Sequence, residues 1–206
     1  MQNSINLKTA VPALGALGII IWSGLLYAKG ISVPFTIEAI KEIPNATGYV
    51  TFISIIFSQW LWKIPWLQGW LVLVPNLNGT WEGDLVSNWK DPQTGASPGP
   101  IKSFLVIRQS LFKTSCVLMT KESKSWSRAA TIQTAPDGAL KILEFTYSNS
   151  PKPSFHHRSK AHDGACSLEI INNPNKKLIG KYWTERATTG EMNHKFMSRN
   201  HRESFD

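Results

Sequence analysis

The chain has 206 residues, 42% of them hydrophobic and 17% charged, at a mean hydropathy of -0.15. That composition excludes wholesale disorder, collagen and a polytopic membrane protein, and two cysteines exclude a disulfide-stapled miniature scaffold. Lysine and arginine outnumber the acids 22 to 14, a net charge of +8, which favours an anionic partner such as a nucleotide, a nucleic acid or a lipid headgroup.

These averages conceal a division near residue 75. Before it the charges are Lys8, Lys29, Glu38, Lys41, Glu42 and Lys63 alone; the rest, with all the histidines and both cysteines, follow it. Two solvents explain such a split. Val11 to Ala28 is an uncharged run flanked by Lys8 and Lys29. As a helix it covers about 27 Å, close to a hydrocarbon core of roughly 30 Å. Pro12 falls in its first turn, where a missing N–H costs little. A cleaved signal peptide is the competing reading, but the run is long for one, and no convincing small-x-small site follows Leu26-Tyr27-Ala28.

Ala46 to Trp62 is a second uncharged run, with Lys63 placed to snorkel and Trp60, Trp62, Trp66 and Trp70 clustered at its end, as at a headgroup interface. Thr47, Thr51, Ser54 and Ser58 share one face of this helix. Small hydroxyl residues permit close approach in lipid, either to the first helix or to another copy of the chain. The balance of basic residues predicts both termini in the cytoplasm. Reduced thiols at Cys116 and Cys166 fit that side. Ile64 to Val74, interrupted by Pro65 and Gly69, reads as an interfacial segment. The division expected is a membrane anchor over 1–75, with spans near 11–28 and 46–62, and a second domain over 76–206.

From Leu77 the apolar period becomes two. Strands are predicted over Thr80–Val86, Ile101–Gln109, Phe112–Thr120, Ser123–Thr134, Leu140–Ser148, Ser159–Asn172, Lys177–Glu185 and Glu191–Arg199. The breaks are a loop over Asn88–Pro100, Pro136-Asp137-Gly138, Asn149 to Pro153, Asn173-Pro174-Asn175 and Thr188-Thr189-Gly190. Eight short antiparallel strands suit a closed up-and-down barrel or a sandwich. Closure removes the edges and leaves room for one small ligand. Gly79-Thr80-Trp81 is the Gly-x-Trp that opens lipocalin barrels, where the ring plugs the floor.

Nothing argues for an enzyme: there is no P-loop or dinucleotide fingerprint. His156, His157 and His162 match no metal-ligand spacing, so no metal or cofactor is expected. A binding surface has better support. Leu178, Gly180, Tyr182, Thr184 and Arg186 share a strand face, offering space, a ring, a hydroxyl and a guanidinium, the groups that a nucleotide's bases and phosphates need. A packed interior with Arg186 at its rim is the plainer alternative. Ser123, Ser125 and Ser127 on the fourth strand, Tyr147 on the fifth and His162 before Gly164 on the sixth could join Arg108 and Lys141 around a polar cavity.

Two N-terminal spans, the Gly-x-Trp strand, Ser123-x-Ser125, Tyr147 with Asn149, His162-x-Gly164 and Gly180-x-Tyr182-Trp183-Thr184-x-Arg186 with Gly190 together resemble one family. It is that of the membrane-anchored β-barrel effectors of CBASS, the bacterial cyclic-oligonucleotide antiphage signalling systems. The resemblance implies a membrane-anchored all-β protein: two transmembrane helices, then a compact eight-stranded up-and-down antiparallel barrel. It implies an activating cyclic dinucleotide from a partner nucleotidyltransferase, with no nucleic acid polymer as partner. Tyr182, Thr184 and Arg186 then look like pocket residues, with Ser125, Tyr147 and His162. It further implies self-association through the helices and disruption of the bacterial inner membrane, with death of the infected cell. A membrane-tethered, lipocalin-like carrier or lipid-binding barrel is the alternative, and it calls for a mostly apolar interior.

Overall fold

The structure is a computed structural model. It describes residues 4–32, 34–91, 94–135, 140–156, 159–172 and 175–206. The described residues divide into two compact units, one comprising Asn76–Gln109 and Lys113–Asp206, the other residues 4–75 together with Ser110–Phe112.

The helical unit begins with α1, Leu7–Ala28, four residues longer at its start than the uncharged run and so including Lys8. Its 22 residues rise about 33 Å, and it is the one helix among the described residues long and apolar enough to cross a membrane. A short α2, Ile37–Lys41, is capped by the Thr36 hydroxyl, which accepts from the Ala39 N–H. Helix α3, Ile43–Gln59, starts with a proline in its first turn, where no donor is wasted. Its 17 residues rise only about 25 Å, because the second apolar run leaves the α-helix at Gln59 and continues as a 3-10 turn over Leu61–Lys63. Helices α1 and α3 approach closely where Gly18 meets Val50. The Trp22 indole donates to the Ala39 carbonyl, and Lys29 pairs with Glu42 at 2.6 Å. The segment after α3 is tied to the N-terminal residues by two backbone bonds, Asn6 to Leu71 and Leu73 to Ser4.

The second unit is a closed antiparallel barrel in which eight strands pair in sequence order and the last pairs the first. They are β1 Gly79–Ser87, β2 Pro100–Gln109, β3 Thr114–Thr120, β4 Ser123–Thr134, β5 Lys141–Pro151, β6 His162–Ile171, β7 Lys177–Thr184 and β8 Thr189–Ser198. All eight predicted strands are present, and closure selects the barrel over the sandwich. The main departures are in β5 and β6. Strand β5 continues through Asn149 to Pro151 because the start of β4 lies beside it, pairing Ser125 with Asn149 and Ser123 with Pro151. Strand β6 starts at His162, three residues late, because the Ser159 N–H turns back to Phe155. The expected turn over 136–138 and most of that over 173–175 lie outside the described residues.

The interior follows from the pleat. Leu105, Leu118, Ile132, Leu143, Phe145, Leu168, Leu178 and Met192 point inward and are buried. Trp81 closes one end: it is 1% exposed, its indole donates to the Leu77 carbonyl, and its ring meets Phe196 edge-on at 5.3 Å. Strand β2 is buried on both faces, which alternation alone does not predict. Outward-facing Phe104 and Val106, with Met119 of β3, lie under the C-terminal segment. There the Arg202 guanidinium stacks 4.1 Å from the Phe104 ring, and the Thr80 hydroxyl accepts from the Arg202 N–H.

Candidate ligand-binding site

The barrel end opposite Trp81 is where odd strands finish and even strands start. A cavity of about 440 Å³ opens there, within the range of small-molecule sites. Its wall includes Ser125, Tyr147, His162, Tyr182, Thr184 and Arg186, so the six residues singled out in the sequence share one cavity. Arg108 and Lys141 lie at the opposite end and do not line it. Broader depressions of about 720 and 760 Å³ sit mainly over outward-facing residues and are open to solvent; of the six, only Tyr182 borders one.

Both tyrosines sit over glycines. A Cβ at Gly164 would strike the Tyr147 ring and its hydroxyl, and one at Gly190 would strike the Tyr182 ring. Each glycine faces its tyrosine in register on the neighbouring strand, so the ring covers the bare backbone. Gly180 has another reason: a Cβ there would meet the Ser167 carbonyl and the Leu168 backbone, and it lies outside the cavity rather than providing space for a ligand. Burial pushes both phenols above the ordinary tyrosine pKa, so both are neutral hydrogen-bonding groups near pH 7.

Thr184 ends β7 and starts a tight turn. Its N–H donates to the Thr188 carbonyl, and its hydroxyl accepts from the Thr188 N–H at 3.3 Å. The turn places Ala187 at φ 56, left-handed backbone that favours glycine, and holds exposed Arg186 at the cavity rim. It is clamped to the start of β6: the Glu185 N–H donates to the Asp163 carbonyl, and the Glu185 carboxylate accepts from the Asp163 N–H. Asp163 in turn accepts from the Ser148 hydroxyl, which accepts from Arg128 at the β4 bulge. This outer-face chain fixes Arg186 relative to His162.

On the inner wall the Ser125 hydroxyl donates to the Asn149 amide oxygen at 2.9 Å, and both side chains are buried. His162 lies next in register, half-buried, with Nδ1 at 3.0 Å from the Lys160 carbonyl. Burial lowers its pKa below the ordinary histidine value; among charges, Arg186 lowers it further while Glu185 and Asp163 oppose.

The strand pattern does not place Asn149 or Trp89 in this wall. It puts Asn149 in a break after the fifth strand, although the resemblance pairs it with Tyr147. Trp89 sits in the long β1–β2 loop, exposed at the mouth. The root of that loop is pinned where the Asn88 N–H donates to the Thr189 carbonyl, and the Asn88 side-chain amide donates to the Thr189 hydroxyl and accepts from the Thr189 N–H. The only signal for Trp89 was an aromatic in a polar loop, which does not reveal where the loop folds. His156 lies with its Nε2 at 3.1 Å from the Pro151 carbonyl, and His157 is outside the described residues. No cluster of three metal-ligating side chains occurs among the described residues.

A closed eight-stranded barrel, plugged at one end and opening at the other on a polar, tyrosine-lined cavity, defines a small-ligand receptor barrel. Residues 72–195, more than half of the chain, match the family model described as the Cap15 cyclic dinucleotide receptor domain, and the chain belongs to that family. A protein of Escherichia albertii named CD-NTase-associated protein 15 is 23% identical over 151 residues, covering 72% of this chain and 73% of its own. One of Staphylococcus schleiferi with the same name is 28% identical over 142 residues, covering 69% and 71%. The resemblance to CBASS effectors drawn from the sequence therefore holds.

Proposed function

We propose that this chain is an antiphage effector whose barrel senses a cyclic dinucleotide made by a partner nucleotidyltransferase. The observation that carries this reading is the convergence of Ser125, Tyr147, His162, Tyr182, Thr184 and Arg186 on one 440 Å³ cavity in a barrel of a receptor family. The rings of Tyr147 and Tyr182 supply faces for bases, the hydroxyls and amide read base or sugar edges, and the Arg186 guanidinium meets phosphate. The protein is thus a receptor, with the cyclic dinucleotide as activating ligand rather than a cofactor, and it performs no catalysis.

Residues 1–75 act as the anchor and 76–206 as the sensor. Helix α1 crosses the bacterial inner membrane, and α3 crosses back, its 17 residues being at the short end of what spans a bilayer. Both termini and the barrel then lie in the cytoplasm, where the ligand is made. Binding favours association of chains through Thr47, Thr51, Ser54 and Ser58, and the assembled helices disrupt the membrane and kill the infected cell. Support for association between chains is that α1 meets α3 at Val50, while Thr47 and Thr51 remain exposed within this unit. Ligand shifts the equilibrium only if the assembled form binds it better.

The test is calorimetric titration of the detergent-solubilised full chain with cyclic di-AMP, cyclic di-GMP and cyclic di-UMP, and with a fatty acid. Saturable binding of at least one nucleotide, with a rise in melting temperature and no response to fatty acid, is expected. The reverse pattern would establish the lipid-carrier alternative.

A further inference from the structure

Chemistry fixes the direction of one hydrogen bond in the cavity wall. His162 Nδ1 lies 3.0 Å from the Lys160 carbonyl oxygen, and a carbonyl can only accept. Nδ1 therefore carries the hydrogen, and in the neutral ring Nε2 keeps its lone pair. Asn149 Nδ2 faces the same Nδ1 at 3.4 Å, which sets two donors against each other, while Asn149 Oδ1 is occupied by the Ser125 hydroxyl. Turning the amide over gives the ring N–H a second acceptor, sends the amide N–H to the Ser125 oxygen and frees the hydroxyl hydrogen. In either setting, among the described residues, Nε2 of cavity-lining His162 keeps its lone pair and the Ser125–Asn149 pair beside it keeps one uncommitted donor.

Among the described residues, the charged groups that act on the ring are Asp163 beside it on β6 and Glu185 and Arg186 on the turn after β7, while Tyr147 of β5 and Glu122 from the turn after β3 line the same cavity. Burial, with the guanidinium, outweighs the Lys160 carbonyl bond and the two carboxylates, and holds the ring's pKa below the ordinary histidine value, which favours the neutral ring near pH 7.

We propose that His162 serves in this cavity as a neutral hydrogen-bond acceptor for a ligand N–H or ribose hydroxyl, with the Ser125–Asn149 pair supplying the adjacent donor, and not as a cation for phosphate. This rests on the cyclic-dinucleotide reading above. It reverses the intuitive role of a histidine in a site for an anion. Protonation destroys the acceptor, so affinity falls as pH drops through the ring's pKa, by about tenfold per pH unit below it.

The full chain in detergent, labelled with nitrogen-15 histidine, tests the proposal in two readouts. Ring nitrogen shifts at about pH 7.5 should report the Nδ1–H tautomer at His162. Titration with cyclic di-AMP, cyclic di-GMP and cyclic di-UMP at about pH 7.5 and at a pH about one unit below the titration midpoint that the same ring shifts report should show weaker binding at the lower pH. His162→Gln, which keeps a neutral acceptor, should lose that pH dependence and bind within about tenfold of wild type, while His162→Lys should weaken binding by more than about tenfold. An imidazolium or an Nε2–H tautomer at the higher pH, tighter binding at the lower pH, or wild-type affinity in His162→Lys would each overturn the proposal. If none of the three nucleotides binds a chain that shows the expected tautomer, the cyclic-dinucleotide reading fails and this role fails with it.

Discussion

Arg186 illustrates how a residue can be dispensable for folding and central to binding. It is exposed, it sits in a turn held by the backbone of Thr184 and Thr188, and its neighbour Glu185 rather than Arg186 itself clamps the turn to Asp163. Arg186→Ala is expected to leave the melting temperature within a degree or two and to weaken cyclic-dinucleotide affinity by about tenfold to a hundredfold, the loss of one charge-assisted hydrogen bond. Unchanged affinity by calorimetry would remove Arg186 from the site. His194 is the opposite case. It is fully buried in the barrel, Nε2 is 2.8 Å from the Ser103 hydroxyl, and Nδ1 has no partner among the described residues. Burial lowers its pKa from 6.5 to about 4. The unfolded chain binds this proton more readily, so the stability His194 contributes is full above pH 6.5 and is lost as pH falls toward 4. The loss amounts to about 3 kcal/mol across the window. Thermal melts should show that slope in wild type and a shallower one in His194→Gln; parallel curves would exclude His194 as its source.

Helix α3 has a hydroxyl stripe that its own backbone already satisfies. Thr47 donates to Ile43, Thr51 to Thr47, Ser54 to Val50 and Ser58 to Ile55, each to a carbonyl one turn back. The stripe is therefore compatible with lipid in a single copy, and its small side chains and spare lone pairs suit close packing between copies. Replacing Ser54 and Ser58 with Leu is expected to reduce nucleotide-induced crosslinking in membranes without affecting binding to the barrel. Normal assembly and toxicity in that variant would show that the stripe is not the association face. The strands convey a related lesson. Period-two alternation in β7 and β5 placed Tyr182, Thr184 and Tyr147 on the inner face without knowledge of the partners. The same reasoning misread β2, because Phe104 is covered from outside by Arg202 and Phe205, almost a hundred residues further along.

Across the whole molecule, most of the net charge of +8 falls after residue 75. A doubly anionic ligand approaching that barrel is drawn by a field of several charges, and added salt screens it. Raising salt from about 0.05 M to about 0.5 M should slow association and weaken affinity, while a fatty acid bound through its apolar chain would be held as well or better. Measured on-rates that ignore salt would mean that the net charge serves the membrane surface instead.

The mean hydropathy of -0.15 describes no part of this chain, since it averages apolar helices with a polar barrel. The apolar runs, the number of strands and the alternation were legible because they are local: charge and period act within a few residues. The strand pattern left barrel and sandwich open, with only the resemblance favouring the barrel, and it did not show the continuation of β5 through Asn149, the place of Trp89 at the mouth or the covering of β2 by the C-terminal segment. Those depend on which backbone lies alongside which, through contacts between residues far apart in the chain, and a contact of that kind leaves no period in the sequence. The same distinction applies to His162. Its residue type could be read beforehand, but its hydrogen-bonding sense came only with the Lys160 carbonyl, whose position the folded loop sets.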